Sequence, residues 1–284
     1  MSRAGKLERH RRSLAEIREI MSSMKSLAYM ETRKLGQKGI AQRRLVEGIE
    51  SAAEDLLYFY PSILPSAAPA AEVRIVVGTE RGFCGDLNAS LARHISAEPD
   101  SPSAATILAI GHKLHTRLED ESSERALVLL DGANVLEEVP AVLERIVSEL
   151  ESIRSLHGAL DVRAVYYRDE TEIAERKLLP PFDVPEQAPP KLTHPPSLNL
   201  RPADLLVELT DHYLLASLHE VLYASLLNEN QQRVTHLGLS VKHLDGKLAD
   251  IRHRGNALRQ EEITEEIEVI LLSSADLMEP DPIG

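Results

Sequence analysis

The stretch LGLSVKHLDGKLADIRHRGNAL, Leu237–Leu258, sets Leu237, Val241, Leu244, Leu248, Ile251, Gly255 and Leu258 at alternating steps of four and three. That spacing draws one apolar stripe along a helix that winds around a partner. The pattern reaches well beyond this stretch. No proline interrupts the chain between Pro202 and Pro280, and a continuous helix of that span would be about 115 Å long. A chain of this size cannot enclose such a helix in its own core, so the helix projects and needs a partner strand over its stripe. Ile263, Ile267, Ile270, Ser274 and Leu277 repeat the rhythm one residue out of phase, with Arg259-Gln260-Glu261-Glu262 at the join. A phase break of this kind marks where a coiled coil unwinds or changes neighbours. Gly238, Gly246 and Gly255 each lower helix propensity by about 1 kcal/mol relative to alanine. Packing must therefore hold this helix, and its glycines permit close approach of another.

The partner is found at the other end of the chain. Residues 4–59 contain no proline, and Leu7, Leu14, Met21, Ala28, Leu35, Ile49 and Leu56 share one heptad position, broken by Gln42. Ile17, Met24, Leu45 and Ala52 share the companion position, interrupted by His10, Glu31 and Lys38. A second long helix is predicted, ending at Tyr58-Phe59-Tyr60-Pro61. The middle changes character. Short strand patterns at Val73–Val77, Thr106–Ile110, Ala126–Leu130 and Val162–Tyr167 alternate with helical patterns at Asn88–Ser96, His112–Leu118 and Val135–Leu156. Asn134 is the candidate N-cap of the last helix, with Pro140 in its first turns. Such alternation implies βαβ units and a mainly parallel sheet. The predicted fold is α/β: a long antiparallel coiled coil of the N- and C-terminal helices (1–60 and 203–279), an inserted Rossmann-like α/β domain (72–183) and a proline-rich connection (184–202).

Composition narrows the functional classes. The chain is 43% hydrophobic and 27% charged, but only 4% aromatic and without tryptophan, as expected where aliphatic helices pack together. A net charge of −13 argues against a general nucleic-acid binder. Residues 1–44 run against that balance, with twelve Lys/Arg and four Glu. They form either a solvated basic helix or a basic rod facing an acidic partner. Cys84 is the single cysteine, which excludes a disulfide framework and a cysteine metal cluster. No run approaches the roughly 20 apolar residues of a membrane span. The N-terminus lacks the apolar core of a signal peptide, and its glutamates argue against a mitochondrial presequence. A soluble cytoplasmic protein without direct membrane insertion is expected.

The loop Thr79-Glu80-Arg81-Gly82-Phe83-Cys84-Gly85-Asp86-Leu87-Asn88 follows the first strand and precedes a helix, where α/β sheets place phosphate-binding loops. It lacks the glycine spacing of a dinucleotide loop and the lysine and hydroxyl of a P-loop, so it reads as a tight structural turn braced by Asn88, with a nucleotide site as the alternative. Cys84 reads as a small buried thiol rather than a nucleophile, since no base is arranged beside it. The histidines show no metal-ligand spacing, and Glu261-Glu262 and Glu265-Glu266 read as a solvated face. No catalytic constellation and no cofactor site emerges.

Separated segments, in order, resemble the gamma subunit of F-type ATP synthases. Ile20-Met21-Ser22-Ser23-Met24-Lys25-Ser26-Leu27-Ala28, followed by Arg33-Lys34, resembles that family's first helix. The loop with Arg81, Gly82, Cys84, Gly85 and Asn88 is similar to its signature nearly position for position. Gly111-His112-Lys113 and Lys177-Leu178-Leu179-Pro180 fit its central domain, and Asn256-x-x-Arg259-Gln260-x-x-Ile263-Thr264-x-Glu266-Ile267 resembles its last helix. The resemblance implies a non-catalytic rotor shaft, one copy per complex, inside a hexamer of alpha and beta subunits. Its foot would be bound to the epsilon subunit and the ring of c subunits, peripheral to the cytoplasmic face of the membrane. It further implies that Met24, Arg233, Gln260 and Thr264 fall where the family contacts the beta subunit and locks the two helices. The chain departs from the family at several positions. Lys25 stands for an acidic residue and Glu31 for a lysine; Asn256-Ala257-Leu258 lacks the usual lysine and alanine, and Leu198–Pro202 lacks the usual tyrosine and glutamate. Two other classes remain on the residues alone: a nucleotide-binding enzyme with coiled-coil arms, and a homodimeric coiled-coil scaffold.

Overall fold

A computed structural model describes residues 3–65, 70–97, 106–120, 126–184 and 194–276. Two long helices bracket an α/β domain: α1 (Arg3–Phe59) and α5 (Pro202–Asp276). Between them lie β1 (Ala71–Val77), α2 (Leu87–Ala97), β2 (Thr106–Ile110), α3 (His112–Asp120), β3 (Leu127–Leu130), α4 (Val139–His157), β4 (Leu160–Tyr167) and β5 (Ile173–Leu179). Contacts divide the chain into two units, residues 1–26 with 235–284, and residues 27–234.

In the larger unit the sheet order is β3-β2-β1-β4-β5. β1 sits at the centre, parallel to β2 and β4; β3 is parallel to β2, and β5 closes the far edge antiparallel to β4. One face, carrying Val73, Ile75, Leu108, Ile110, Val162 and Ala164, is covered by α4 together with Leu35 of α1 and Leu218, Val221, Leu222 and Leu226 of α5. The other face, carrying Val76, Ile107, Ala109 and Val165, is covered by α2 and α3 through Leu87, Leu91, Ile95 and Leu114. A third cluster joins Val46, Ala53, Leu56 and Leu57 of α1 to Leu206, Tyr213 and Ala216 of α5, with Phe182 stacked edge-on against Tyr213 at 5.2 Å. Burying three apolar faces against one another is what orders these elements.

The helices run antiparallel in this unit. Gln42, the polar break in the heptad, donates its side-chain amide to the Ala216 carbonyl at 2.9 Å. Glu220, nearly buried, pairs with Arg176 at 2.5 Å and Arg43 at 3.5 Å. In the smaller unit the antiparallel register is carried by Arg18 on Asp245 at 2.9 Å, Lys25 against Gly238 and Leu7 against Gly255. Leu237 and Leu244 are buried there, while Val241, Leu248, Ile251 and Leu258 on α5 and Leu7, Leu14, Met21 and Met24 on α1 are half-buried.

Four expectations change. The companion stripe of α1 fails, since Ile17 is 41% and Leu45 52% exposed and Ala52 is exposed, whereas Val46, Ala53 and Leu57 are buried. Beyond Gln42 the buried residues belong to the third cluster, where Phe182 packs in beside α5. The strand β5 was not visible in the sequence, being an edge strand with Glu175-Arg176-Lys177 at its centre. Asn134 is no N-cap: α4 starts at Val139 behind a short 3₁₀ turn, and the Glu138 carboxylate accepts the Asn134 backbone N–H at 2.7 Å. The helix glycines do not serve close approach either. A Cβ at Gly238 would meet Lys25 at an ordinary 3.5 Å, and one at Gly246 would meet nothing within 4 Å.

Glycine matters instead at the carboxyl end of β2. Gly111 has φ 108°, and a Cβ there would lie 2.8 Å from the Thr79 carbonyl oxygen. Gly111→Ala is expected to destabilise the chain by about 1–3 kcal/mol, whereas Gly246→Ala stabilises it by about 0.5–1 kcal/mol. Urea unfolding followed by circular dichroism measures both; equal effects of one sign would contradict this account.

Candidate functional site

The signature loop lies at the carboxyl end of β1, and its conformation is set by its own residues. Phe83 and Gly85 both have φ 64°, a left-handed geometry that glycine accepts freely and phenylalanine does not. Asn88, in the first turn of α2, accepts the Thr79 N–H at 3.0 Å and donates to the Thr79 hydroxyl at 2.8 Å. That brace is the role the sequence suggests. Gly82 has no positive φ, and a Cβ there would meet nothing within 4 Å, so its identity has no steric reason within the chain.

Helix α5 holds this loop from the other side. The Glu229 carboxylate accepts the backbone N–H groups of Glu80 and Arg81, each at 3.4 Å. Arg233, one helical turn on, pairs with Glu229 and donates to the Gly82 carbonyl at 3.3 Å, to Asn230 at 3.1 Å and to the Cys84 sulfur at 3.4 Å. Both charged side chains are buried, at 3% and 5% exposed. Burial pushes the Glu229 carboxyl upward, while the Arg233 guanidinium and the two amides pull it back. A charge pair this deep persists only when its remaining hydrogen-bonding capacity is met, and here the loop backbone meets it.

A second carboxylate works at the same edge. Glu80 accepts the Gly132 N–H at 2.8 Å and the His112 N–H at 3.0 Å, the latter at the start of α3. In an α/β fold these amides and helix starts are the groups that take a phosphate. Here two carboxylates of the chain itself occupy them, which disfavours the nucleotide-site alternative on chemical grounds. A cleft of about 400 Å³ opens beside the loop, with Arg81, Lys113 and Arg117 in its wall together with Gly85, Asp86 and Asn88 around the start of α2.

Cys84 is 5% exposed, and its thiol sits 3.3 Å from the Arg81 carbonyl and 3.2 Å from that of Gly82. Burial, with the Glu229 charge adding to it, pushes the thiol up to about 12. It is a packing residue, not a nucleophile. His115 is buried, with its ring 3.1 Å from the Ala109 carbonyl. No group of His, Cys, Asp and Glu among the described residues is arranged to hold a metal ion. No described helix is long and apolar enough to cross a membrane.

The four residues expected at a subunit contact separate into two groups. Arg233 is 4% exposed and its guanidinium is taken up by the loop, so its visible task is internal. Met24 is half-buried in the smaller unit's seam, and Gln260 and Thr264 are exposed, the Thr264 hydroxyl donating to the Gln260 carbonyl at 2.9 Å. Two departures from the family pattern have internal uses. Lys25 lies against Gly238, and Glu31 accepts the Leu136 N–H at 3.2 Å while pairing with Lys34, which also reaches Glu137. Glu229 and Glu80 were not singled out from sequence; the only signal was a Glu-x-x-x-Arg spacing, an i,i+4 pair inside a largely apolar helix.

Glu229→Gln leaves Arg233 buried without a counter-charge and is expected to cost about 3–5 kcal/mol in urea unfolding. The double variant Glu229→Leu, Arg233→Met should recover most of that loss. With its pKa near 12, about one Cys84 thiol in ten thousand is ionised at pH 8. Iodoacetamide should therefore label the folded chain at least a hundredfold more slowly than the unfolded one, and comparable rates would refute the inert assignment.

Comparison with known proteins agrees with this picture. The sequence profile described as ATP synthase matches residues 4–276. The ATP synthase gamma chain of Methylacidiphilum infernorum is 24% identical over 94% of this chain and 96% of its own length. That of Delftia acidovorans is 22% identical over 93% and 96%. In fold, the chain is similar to one in the rotor of the Euglena gracilis mitochondrial ATP synthase, at TM-score 0.57 and 14% identity, covering 92% of this chain and 98% of that one. A chain in the OSCP/F1/c-ring structure of the same enzyme gives TM-score 0.58 and 14% identity, covering 99% and 96%. With two long helices in sequence on either side of an α/β domain, and with a family match along almost its whole length, the chain belongs to the ATP synthase family as a non-catalytic gamma chain.

Proposed function

We propose that this chain is the central-stalk rotor subunit of an F-type ATP synthase or ATPase. It couples ion passage through the membrane ring to ATP synthesis or hydrolysis at the catalytic beta subunits, by turning within the alpha/beta hexamer. The observation that carries this reading is the family match from residue 4 to residue 276. It takes in both long helices and the domain between them, so the resemblance is not confined to a common α/β core. The described residues offer a long antiparallel helix pair, as a shaft requires.

In this reading one copy engages alpha and beta through the long helices, and the α/β domain meets the epsilon subunit and the c ring. The complex places the chain peripherally, on the cytoplasmic face of the membrane. Met24, Gln260 and Thr264 are proposed as contacts to beta. Arg233 contributes indirectly, by fastening the loop of Arg81, Gly82, Cys84, Gly85 and Asn88 to α5. Rotation would change the affinity of each beta site because an asymmetric shaft makes different contacts with each, and only differential contacts can shift a conformational equilibrium.

Co-expression with the alpha and beta subunits of the same organism tests this. The expected result is a complex with one copy per three of each, whose steady-state ATPase turnover falls at least tenfold with Met24→Lys plus Gln260→Leu. A chain that stays apart from alpha and beta and purifies as a homodimer is a scaffold instead.

A further inference from the structure

One turn of α1 faces the α/β domain. Glu31, Lys34 and Leu35 stand three and four residues apart, which puts them on one side of the helix. Leu35 is wholly buried in the sheet core with Val139 and Val142 of α4. Glu31, its side chain 12% exposed, accepts the Leu136 N–H at 3.2 Å. Lys34 lies 2.9 Å from the Glu31 carboxylate and 3.1 Å from that of Glu137. Leu136 opens the 3₁₀ turn that leads into α4, and Val135 before it offers no side-chain acceptor. The first amides of a helix have no acceptor within it, and a carboxylate suits that end. Here the acceptor comes from another helix, 105 residues away in sequence. Helix α4 itself lies on the sheet through Ile146, Leu150 and Ile153, so the bond ties α1 to the sheet by way of α4.

We infer that Glu31 is a positioning residue for coupling: it hooks α1 to the start of α4, so that load on the α/β domain reaches both long helices directly. The inference rests on the central-stalk reading, in which the domain meets the c ring, and goes beyond it in assigning the residue that passes load to α1. Helix α5 has its own fastening, the Glu229 carboxylate on the amides of Glu80 and Arg81. Leu35 and the third cluster give α1 apolar contact, and Arg43 links it to β5 by way of Glu220 on α5. Apolar contact is non-directional, whereas a hydrogen bond weakens steeply once its angle is lost. Sideways displacement of α1 on the domain is therefore resisted at Glu31 in a way that Leu35 alone does not supply. Lys34 and Glu137 are 49% and 64% exposed. Solvent screens their attraction, so they steady the carboxylate without carrying the hook. The residue is also particular to this chain. The lysine usual at this position in the family has donors and no acceptor, and could not take the Leu136 amide.

The test uses the assembled enzyme in membrane vesicles, reading ATP hydrolysis together with the ATP-driven membrane potential from a voltage-sensitive dye. Glu31→Ala is expected to hydrolyse ATP at the wild-type rate while losing most of the potential generated per ATP. Glu31→Gln keeps an oxygen acceptor and should restore most of it, and Lys34→Ala should behave as wild type. Hydrogen exchange of the full chain reads the bond itself. The Leu136 amide should exchange about tenfold faster in Glu31→Ala, as loss of a hydrogen bond to a charged group implies, and Glu31→Gln should slow it again. If Glu31→Ala keeps wild-type coupling, or lowers hydrolysis and potential in equal proportion, the hook is refuted and the central-stalk reading stands. Should Glu31→Ala fail to assemble, wild-type exchange at Leu136 refutes the hook, and rescue of assembly by Glu31→Gln with slowed exchange supports it. If the wild-type chain forms no complex with alpha and beta, both fall.

Discussion

The structure of the larger unit depends on one buried ion pair. Glu229 and Arg233 stand one turn apart on α5, both almost sealed from water, and each is committed to the backbone of the loop after β1. Removing two charges from water is costly, and their mutual attraction offsets that cost only when their remaining hydrogen bonds are made. The loop makes them. The result is a specific joint: α5 cannot turn or slide against the sheet at this level without leaving a charge bare. Glu80 extends the joint by holding the start of α3 and the backbone at Gly132. One edge of the sheet is thereby tied to a single long helix through carboxylates.

That arrangement explains how an α/β domain can keep its shape and give up its usual chemistry. The amides at the carboxyl ends of parallel strands are anion receptors by geometry. In this chain side-chain carboxylates take the amides of Glu80, Arg81, His112 and Gly132. The buried thiol in the same loop follows the same logic. Cys84 packs against carbonyls and is kept protonated by its surroundings. A thiolate there would face both the loop carbonyls and Glu229.

Much of this could be read in the residues beforehand, and what could not has physical reasons. Heptads at Leu7 through Leu56 and at Leu237 through Leu258 announced the helix pair, because a stripe that long has no other use. The companion line through Ile17, Leu45 and Ala52 misled. A seam rule assumes one neighbouring helix, and α1 meets a cluster that includes Phe182 from outside the pair. The strand β5 escaped because an edge strand facing water on one side tolerates charges that hide its alternation. Glu229 escaped for the opposite reason. A polar residue in an apolar run reads as an interruption, and only the folded loop reveals what it holds. Arg233 was legible as important through family resemblance, but its internal task became visible only from its burial.

The third cluster has a consequence for the history of such chains. Leu56 and Leu57, at the end of α1, pack with Leu206 and Tyr213, near the start of α5. The polypeptide thus leaves the helix pair and rejoins it at one place, with a small apolar knot closing the base of the excursion. A loop of the α/β domain can lengthen, shorten or change its sequence without altering how many residues separate facing positions on the two helices. The parts of the excursion that do not pack on Leu35, Leu218, Val221, Leu222 and Leu226 are therefore free to change without disturbing the pair. Low overall identity between such proteins is then compatible with an unbroken helical register, since drift in the excursion leaves the alignment of the pair untouched.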